Sequence, residues 1–188
     1  MAASERDTER FLSAHEFAAM PEPEDGYRYE LVRGRLVREP LPAPVHGRIE
    51  ALLVARLHEF VERSGAGVVL SNTGFLLERD PDTVRGPDVA YVRSDRVPAS
   101  GYGTEFWQLG PDLAIEVRSP SNRNGAMIEK VTAYLAAGSR LVWVVDPRRR
   151  TVTIHSPERE ARILNSGSAL DGEDVLPGFR MPLSELFS

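Results

Sequence analysis

The feature that most constrains the fold is a run of five apolar residues, Leu141-Val142-Trp143-Val144-Val145, which contains no polar position. A strand with one face in water alternates apolar and polar residues, whereas a strand covered on both faces is apolar throughout. The run ends at Asp146-Pro147, because proline cannot donate the N–H that a central strand needs. We therefore predict a central strand with other layers of the protein on both of its faces.

Two amphipathic segments are suited to form those layers. Apolar residues recur at helical spacing between Ile49 and Val61, and the segment ends near Ser64-Gly65. A second helix is predicted from Asn124, a residue type that favours helix starts, to Gly138. Because this helix leads directly into the apolar run, the order of elements is typical of a mixed α/β fold.

Shorter segments complete the predicted architecture. Residues 27–31 and 35–38, joined by Val32-Arg33-Gly34, predict an N-terminal β-hairpin, and Ser13 with Glu16 predicts a capped short helix before it. Further strands are predicted at residues 67–70, 74–77, 88–92, 113–117, 151–155 and 162–164. The predicted fold class is α/β, with an α+β mixed sheet. This means a central sheet that contains both parallel and antiparallel strands and is flanked by helices.

Length and composition limit the organisation of the chain. Its 188 residues predict a single domain over residues 11–188, after a flexible polar tail at residues 1–10. No apolar run approaches the ~20 residues needed to span a membrane, and the absence of cysteine is typical of a cytoplasmic protein. The net charge of −5 argues against unspecific coating of nucleic acid, although a local arginine patch can still bind phosphate.

The chain contains one lysine, Lys130, beside 22 arginines. Lysine carries a compact ammonium that can be desolvated and aimed as a point charge, whereas arginine presents a planar, permanently charged fork. On the predicted second helix, Lys130 lies at the edge of the apolar stripe formed by Met127, Val131 and Tyr134. Two interpretations remain open: a surface lysine that extends along an apolar flank, and an ammonium that points into a pocket under the helix.

Two acidic residues lie at the ends of predicted strands. Alternation in residues 113–117 places Glu116 with Ala114 on one face, which is either solvated or turned towards a ligand site. Asp88 follows Pro87 and directly precedes an apolar strand, so a turn-forming role is the alternative for it. Carboxylates on neighbouring strands can share a divalent cation, and Mg²⁺ suits such a site because it takes one or two protein carboxylates.

Several short motifs follow one another in a defined order: Gly86-Pro87-Asp88-Val89, Pro111-Asp112-Leu113-Ala114-Ile115-Glu116-Val117, Ser119-Pro120-Ser121, Glu129-Lys130 and Trp143-Val144-Val145-Asp146-Pro147. Together they resemble the Uma-type restriction endonuclease family, a bacterial branch of the PD-(D/E)XK nuclease superfamily. Tyr29-Glu30-Leu31-Val32 with Gly34, and Leu176-Pro177-Gly178-Phe179, extend the resemblance over almost the whole chain.

The resemblance implies a restriction-endonuclease-like core and a phosphodiesterase site that uses Mg²⁺, with Mn²⁺ as an alternative. Asp88 and Glu116 match the two acidic metal ligands, and Lys130 matches a catalytic lysine displaced to the following helix. The superfamily lysine ordinarily lies two residues after the second acid, where this chain has Arg118. Arginine is a poor substitute there, because it does not lose its proton and its fork is bulky.

Four further residues are candidates for a supporting role. Glu30 and Glu50 are placed to reach a metal, although a solvated helix face explains Glu50 better. His46 either contacts phosphate, caps the long helix or is an ordinary loop residue. Arg123, near a predicted helix start, is a candidate phosphate contact. The four histidines show no clustered spacing, so a zinc site is not expected.

Two functions therefore compete. The first is a metal-dependent endonuclease that hydrolyses DNA phosphodiester bonds, in which Asp88 and Glu116 bind magnesium and Lys130 orients the nucleophile or offsets charge. The second is a non-catalytic nuclease-fold protein that binds nucleic acid or a protein partner, which the acidic balance and Arg118 favour. DNA is the expected partner, no membrane is expected, and we expect a homodimer because duplex cleavage by one small site often needs two copies.

Overall fold

The computed structural model describes residues 11–21, 23, 24, 26–39, 41–119 and 124–188. The predicted tail at residues 1–10 lies outside the described residues. In the described part of the chain the α-helices are α1 (Ala14–Ala18), α2 (Pro44–Ser64), α3 (Asn124–Ala136) and α4 (Leu183–Leu186), with a 3₁₀ turn at Ser94–Arg96. None of these helices combines the length and the apolar composition that a membrane span requires.

The strands of the described residues form three sheets. In chain order they are β1 (Arg28–Val32), β2 (Arg35–Glu39), β3 (Gly67–Ser71), β4 (Phe75–Glu78), β5 (Thr83–Arg85), β6 (Val89–Arg93), β7 (Leu113–Val117), β8 (Leu141–Asp146), β9 (Thr151–Ser156), β10 (Arg159–Asn165), β11 (Ala169–Asp171) and β12 (Arg180–Pro182). The central sheet has the order β10-β9-β8-β7-β6-β3, the second sheet has the order β2-β1-β5-β4, and β11 pairs with β12.

The apolar run forms β8, and the structure confirms that it is a central strand. It lies between β7 and β9, and every residue from Leu141 to Val145 is buried. β7 and β8 are parallel, with Ile115 opposite Trp143, while β8 and β9 are antiparallel. Parallel neighbours need a crossover connection, which α3 provides here. The predicted mixed α/β sheet is therefore confirmed.

The two long helices cover opposite faces of this sheet. The stripe from Ile49 to Val61 on α2 belongs to one buried cluster with Ile115. Val131 and Tyr134 on α3 belong to another buried cluster with Ala114, the neighbour of Ile115 on the other face of β7. Full burial of a side chain of this kind contributes about 1.5–3 kcal/mol to folding. Both faces of β7 are thereby removed from water.

The N-terminal hairpin is confirmed and has a two-residue turn. Arg33 and Gly34 have φ angles of 49° and 73°, and Val32 pairs with Arg35 directly after them. Positive φ at both turn residues is the signature of the turn that fits the twist of a hairpin. β1 also pairs with β5, so the second sheet holds the hairpin beside the segment that leads into β6.

Local signals predicted long elements better than short ones. Ser13 and Glu16 form the predicted reciprocal cap at the start of α1, and Gly65 ends α2 in a left-handed conformation with φ 62°. β5, β11 and β12 were not predicted, because three residues are too few to show a period of two. Residues 148–150 lie exposed in the turn between β8 and β9.

Candidate active site

The pairing of β6 with β7 brings the two predicted acidic residues to one end of the central sheet. Val89 lies opposite Ile115 in an antiparallel register. Asp88, which precedes Val89, and Glu116, which follows Ile115, therefore lie at the same end of the strand pair. Asp88 Oδ2 accepts a hydrogen bond of 2.6 Å from the N–H of Val117, which fixes the carboxylate against β7. Both side chains are buried. The interpretation that Glu116 lies on a solvated strand face is wrong, because α3 covers that face of β7.

Lys130 points into the protein beneath α3. Its Nζ lies 3.2 Å from Glu116 Oε2, 3.1 Å from Glu30 Oε1 and 3.6 Å from Glu39 Oε1. The residue is only 6% exposed, so the alternative of a surface lysine is wrong. One turn further along α3, the Tyr134 hydroxyl donates a 2.7 Å hydrogen bond to Glu116 Oε1. We call Glu30, Glu39, Arg85, Glu116, Lys130 and Tyr134 the Lys130 cluster.

The charges of the Lys130 cluster compensate one another. Burial alone would lower the pKa of Lys130, but Glu116, Glu30 and Glu39 raise it above the ordinary value. Burial raises the pKa of Glu116 to about 7, although the ammonium of Lys130 opposes that rise. Lys130 is therefore a permanent cation, whereas Glu116 changes its charge near neutral pH.

Glu30 joins the hairpin to this cluster. Its Oε2 accepts a 2.7 Å hydrogen bond from Arg85 and its Oε1 accepts a 3.1 Å hydrogen bond from the N–H of Gly86. Burial alone would raise the pKa of Glu30, but the charges of Lys130 and Arg85 lower it below the ordinary value. Glu30 thus stays ionised and holds Lys130 and Arg85 in place.

A second group lies on the α2 side of Asp88. His46 Nε2 is 3.0 Å from Asp88 Oδ1 and 3.9 Å from Glu50 Oε2, one helical turn further along α2. Asn72 donates a hydrogen bond to Glu50 Oε1 and accepts one from Arg28. We call Arg28, His46, Glu50, Asn72 and Asp88 the His46 cluster.

Two expectations for this cluster are wrong. His46 is not a loop residue or a helix cap: it lies in the first turn of α2, is buried, and the helix has Ala43 as its N-cap. Glu50 does not face solvent, since its side chain is 15% exposed and contacts Asn72. The i, i+4 spacing of His46 and Glu50 was the sequence signal that places both on one side of a helix.

The two carboxylates of the His46 cluster have opposite electrostatic environments. Burial alone would raise the pKa of Asp88, but contacts with His46, with the Val117 N–H and with Arg28 lower it below the ordinary value. Burial and the nearby charge of Asp88 raise the pKa of Glu50. Asp88 is therefore the firmly ionised member of the pair.

One cavity of about 200 Å³ connects the two clusters. The predicted site residues that line it are Glu30, His46, Asp88, Glu116 and Lys130. Glu50 does not line the cavity but lies next to His46, with 3.9 Å between Oε2 and Nε2, and Arg123 lies outside the described residues. Sequence reasoning missed Glu39, Arg85, Arg28 and Asn72, whose positions depend on how the hairpin and the loop after β3 approach the central sheet.

The donor set of this cavity fits a divalent cation. Ligand atoms of His46, Glu50 and Asp88 all lie within 4.8 Å of one another. Within the described residues, these three side chains form the group that is close enough to share a metal ion. Among the described residues, Nδ1 of buried His46 has no hydrogen-bond partner, and Nε2 has only its charged neighbours Asp88 and Glu50. Imidazole nitrogen and carboxylate oxygen are common ligands of divalent ions.

The fold and this cavity define a restriction-endonuclease-like α/β protein. The structure is similar to the crystal structure of a putative nuclease belonging to DUF820 from Anabaena variabilis, with a TM-score of 0.82 and 20% sequence identity over 94% of this chain and 97% of that chain. The sequence model of the Uma2 family, described as "Putative restriction endonuclease", matches residues 14–184. The chain belongs to this family, as its motifs predicted. Curated proteins give no match.

The raised pKa of Glu116 predicts a pH-dependent stability. Between pH 4.5 and about 7 the folded protein retains a proton on Glu116 that the unfolded chain has released, so this group makes the fold less stable as pH rises. Glutamine keeps the size but does not titrate. We expect the free energy of unfolding of Glu116→Gln, relative to wild type, to rise by about 3 kcal/mol between pH 4 and pH 8, measured by urea unfolding.

Glu185→Gln is the matched control for this measurement. Glu185 is exposed and pairs with Arg56 at 2.8 Å. Its stability difference from wild type should change little over the same range. A difference for Glu116→Gln that stays constant or falls with pH contradicts the raised pKa.

Proposed function

We propose that this protein is a metal-dependent endonuclease that hydrolyses DNA phosphodiester bonds, with Mg²⁺ or Mn²⁺ as its cation. The observation that carries the proposal is the convergence of Asp88, Glu116 and Lys130 on one cavity. Asp88 directly precedes β6, Glu116 lies on β7 and Lys130 lies on α3, and the pairing and packing of these elements with the central sheet hold the three residues in fixed positions. A rigid framework of this kind is what a catalytic group needs to keep its geometry.

In this proposal each residue has a role that follows from its contacts. Asp88 and Glu116 hold the cation, and Asp88 is ready for it because its carboxylate stays ionised. A divalent cation bound there supplies Lewis-acid activation of the phosphate and of a water molecule. Lys130, which keeps its proton, contributes charge and orients the nucleophile, and does not act as a general base.

Arg118 occupies the ordinary lysine position without taking that role. Its Nη1 lies 3.7 Å from Asp146 Oδ2, at the end of β8. The ammonium beside Glu116 belongs to Lys130, 3.2 Å from Oε2. Displacement of the lysine from the strand to the helix therefore leaves the second acid with a cationic neighbour.

A second function, binding without cleavage, is favoured by one observation. Both oxygens of Glu116 already accept hydrogen bonds within the protein, from Lys130 and Tyr134. A network that satisfies its own charges can serve a structural purpose. In this case the nuclease fold would bind nucleic acid or a protein partner only.

A cleavage assay separates the two functions. Duplex and single-stranded DNA are incubated with the protein in Mg²⁺, in Mn²⁺ and in EDTA. We expect strand cleavage with either cation and none in EDTA, because the reaction needs a Lewis acid at the phosphate. DNA binding without cleavage under every condition supports the second function, and cleavage that persists in EDTA contradicts metal dependence.

Two companion proposals follow from the same function. Cutting both strands of a duplex with one small site in each chain favours a homodimer. A cytoplasmic location agrees with the lack of cysteine in the sequence.

A further inference from the structure

Buried His46 is an incompletely satisfied polar group beside the cavity. It is 5% exposed, its Nδ1 has no hydrogen-bond partner among the described residues, and its Nε2 has only an ion-pair contact with Asp88 and a longer one with Glu50. A buried polar group without a partner destabilises the folded protein, because its hydration is lost and nothing replaces it. Nε2 faces Asp88 Oδ1 at 3.0 Å and Glu50 Oε2 at 3.9 Å, so a cation that binds all three atoms would give Nε2 a direct partner and neutralise the two carboxylates.

The spacing of these atoms suits a shared metal ion. Ligand atoms at ~2.1 Å from an octahedral ion lie about 3 Å apart when adjacent and about 4.2 Å apart when opposite. The distances from His46 Nε2 to the two carboxylates, 3.0 Å and 3.9 Å, fall in this interval. The three side chains can therefore approach one ion with small adjustments.

Neighbouring groups already orient two of these ligands. The Val117 N–H binds Asp88 Oδ2 and so leaves Oδ1 directed at His46. The Asn72 amide donates a hydrogen bond to Glu50 Oε1 and leaves Oε2 as the oxygen that faces His46 Nε2. Such outer hydrogen bonds commonly fix metal ligands and raise metal affinity. Glu116, by contrast, has both oxygens engaged by Lys130 and Tyr134.

We propose that His46, Glu50 and Asp88 form a cation site on the α2 side of the cavity that prefers Mn²⁺ to Mg²⁺. Mg²⁺ takes oxygen ligands and keeps much of its water, whereas first-row transition ions bind imidazole nitrogen well. The preference comes from His46, the nitrogen donor of the set. The inference rests on the proposed function only in taking a divalent cation as the ligand of this cavity.

Direct titration of the full chain with each metal, without DNA, tests the site. In calorimetric titrations, His46→Gln should lose at least about tenfold in Mn²⁺ affinity and less than about threefold in Mg²⁺ affinity, since it removes the nitrogen donor and keeps a polar side chain. Glu50→Gln should weaken both ions, because it removes a charge that both use. Thermal unfolding identifies any variant that fails to fold.

His58→Gln is the matched control, since His58 lies exposed on the same helix. It should leave both affinities unchanged. Equal losses of Mn²⁺ and Mg²⁺ affinity in His46→Gln, or no loss of either, overturn the inference. If Glu50→Gln also binds both ions as wild type does, the site is not there. These outcomes are independent of cleavage: a protein that binds Mn²⁺ through His46 but cuts no DNA refutes the proposed function alone.

Discussion

Lys130→Met should lower the rate of metal-dependent DNA cleavage by about 100-fold or more, the usual effect of removing one preorganised group that stabilises transition-state charge. Methionine keeps an unbranched stem of similar length but has no ammonium beside Glu116, whose Oε2 lies 3.2 Å from Nζ in the wild type. Arg118 has a different carboxylate partner, Asp146, and its guanidinium does not supply the missing ammonium. Initial cleavage rates with Mg²⁺ and Mn²⁺ measure the effect.

The same substitution also affects stability, and the two effects must be separated. Removing a buried cation from its carboxylate partners costs about 3–5 kcal/mol. In the double variant Glu39→Gln with Lys130→Met, one of the three carboxylates loses its charge as well, so part of the stability should return. Cleavage should not return, because the ammonium is still absent. Recovery of cleavage together with stability would show that Lys130 has a structural role only.

Arg96→Met provides a matched control for the loss of an ion pair. Arg96 Nη1 lies 2.9 Å from Asp112 Oδ1, and that carboxylate is buried, like those of Glu30 and Glu116 beside Lys130. Asp112 directly precedes β7, whereas Glu116 lies near the other end of that strand, so the Arg96–Asp112 pair is remote from Glu116 along β7. Arg96→Met should lower the melting temperature and leave cleavage close to the wild-type rate. A Lys130→Met protein that cuts within threefold of wild type contradicts the role proposed for the ammonium.

Periodic patterns predicted the framework of this protein because they reflect contacts that each long element makes along its whole length. β8 is apolar throughout since both of its faces are covered, and the stripe from Ile49 to Val61 faces the sheet. β5 was not predictable in this way. It has three residues, all buried, and one of them is Arg85, whose burial depends on Glu30 from a distant part of the chain.

The candidate site was predictable only in part, for a similar physical reason. Glu116 and Lys130 lie on elements whose faces can be derived from their own periodicity, so their convergence was foreseeable. The positions of Glu39 and Asn72 follow from the approach of the hairpin and of the loop after β3, which no local pattern records. Glu50 was assigned to solvent because helical periodicity separates apolar from polar positions but does not identify a polar face that borders a cavity.

Asp88→Asn should abolish most divalent-cation binding and lower cleavage by about 100-fold or more, with a smaller effect on folding. Asparagine can still accept the hydrogen bond that Val117 N–H donates to Oδ2 over 2.6 Å, so the local backbone contact survives. What it lacks is the negative charge next to His46 and Arg28, where contacts hold the pKa of Asp88 below its ordinary value. Calorimetric titration with Mg²⁺ and Mn²⁺ and cleavage rates measure the two losses.

Asp82→Asn is the control that distinguishes charge at this position from charge at any buried aspartate. Asp82 is also buried and also accepts a backbone hydrogen bond, from the N–H of Ala14 over 2.7 Å, but it lies outside the cavity. It should therefore bind cations and cut DNA as the wild type does, although the contact between α1 and the rest of the protein weakens. If Asp88→Asn binds both ions with wild-type affinity while Asp82→Asn behaves as expected, Asp88 is not a metal ligand. The convergence of Asp88, Glu116 and Lys130 would then favour the non-catalytic function.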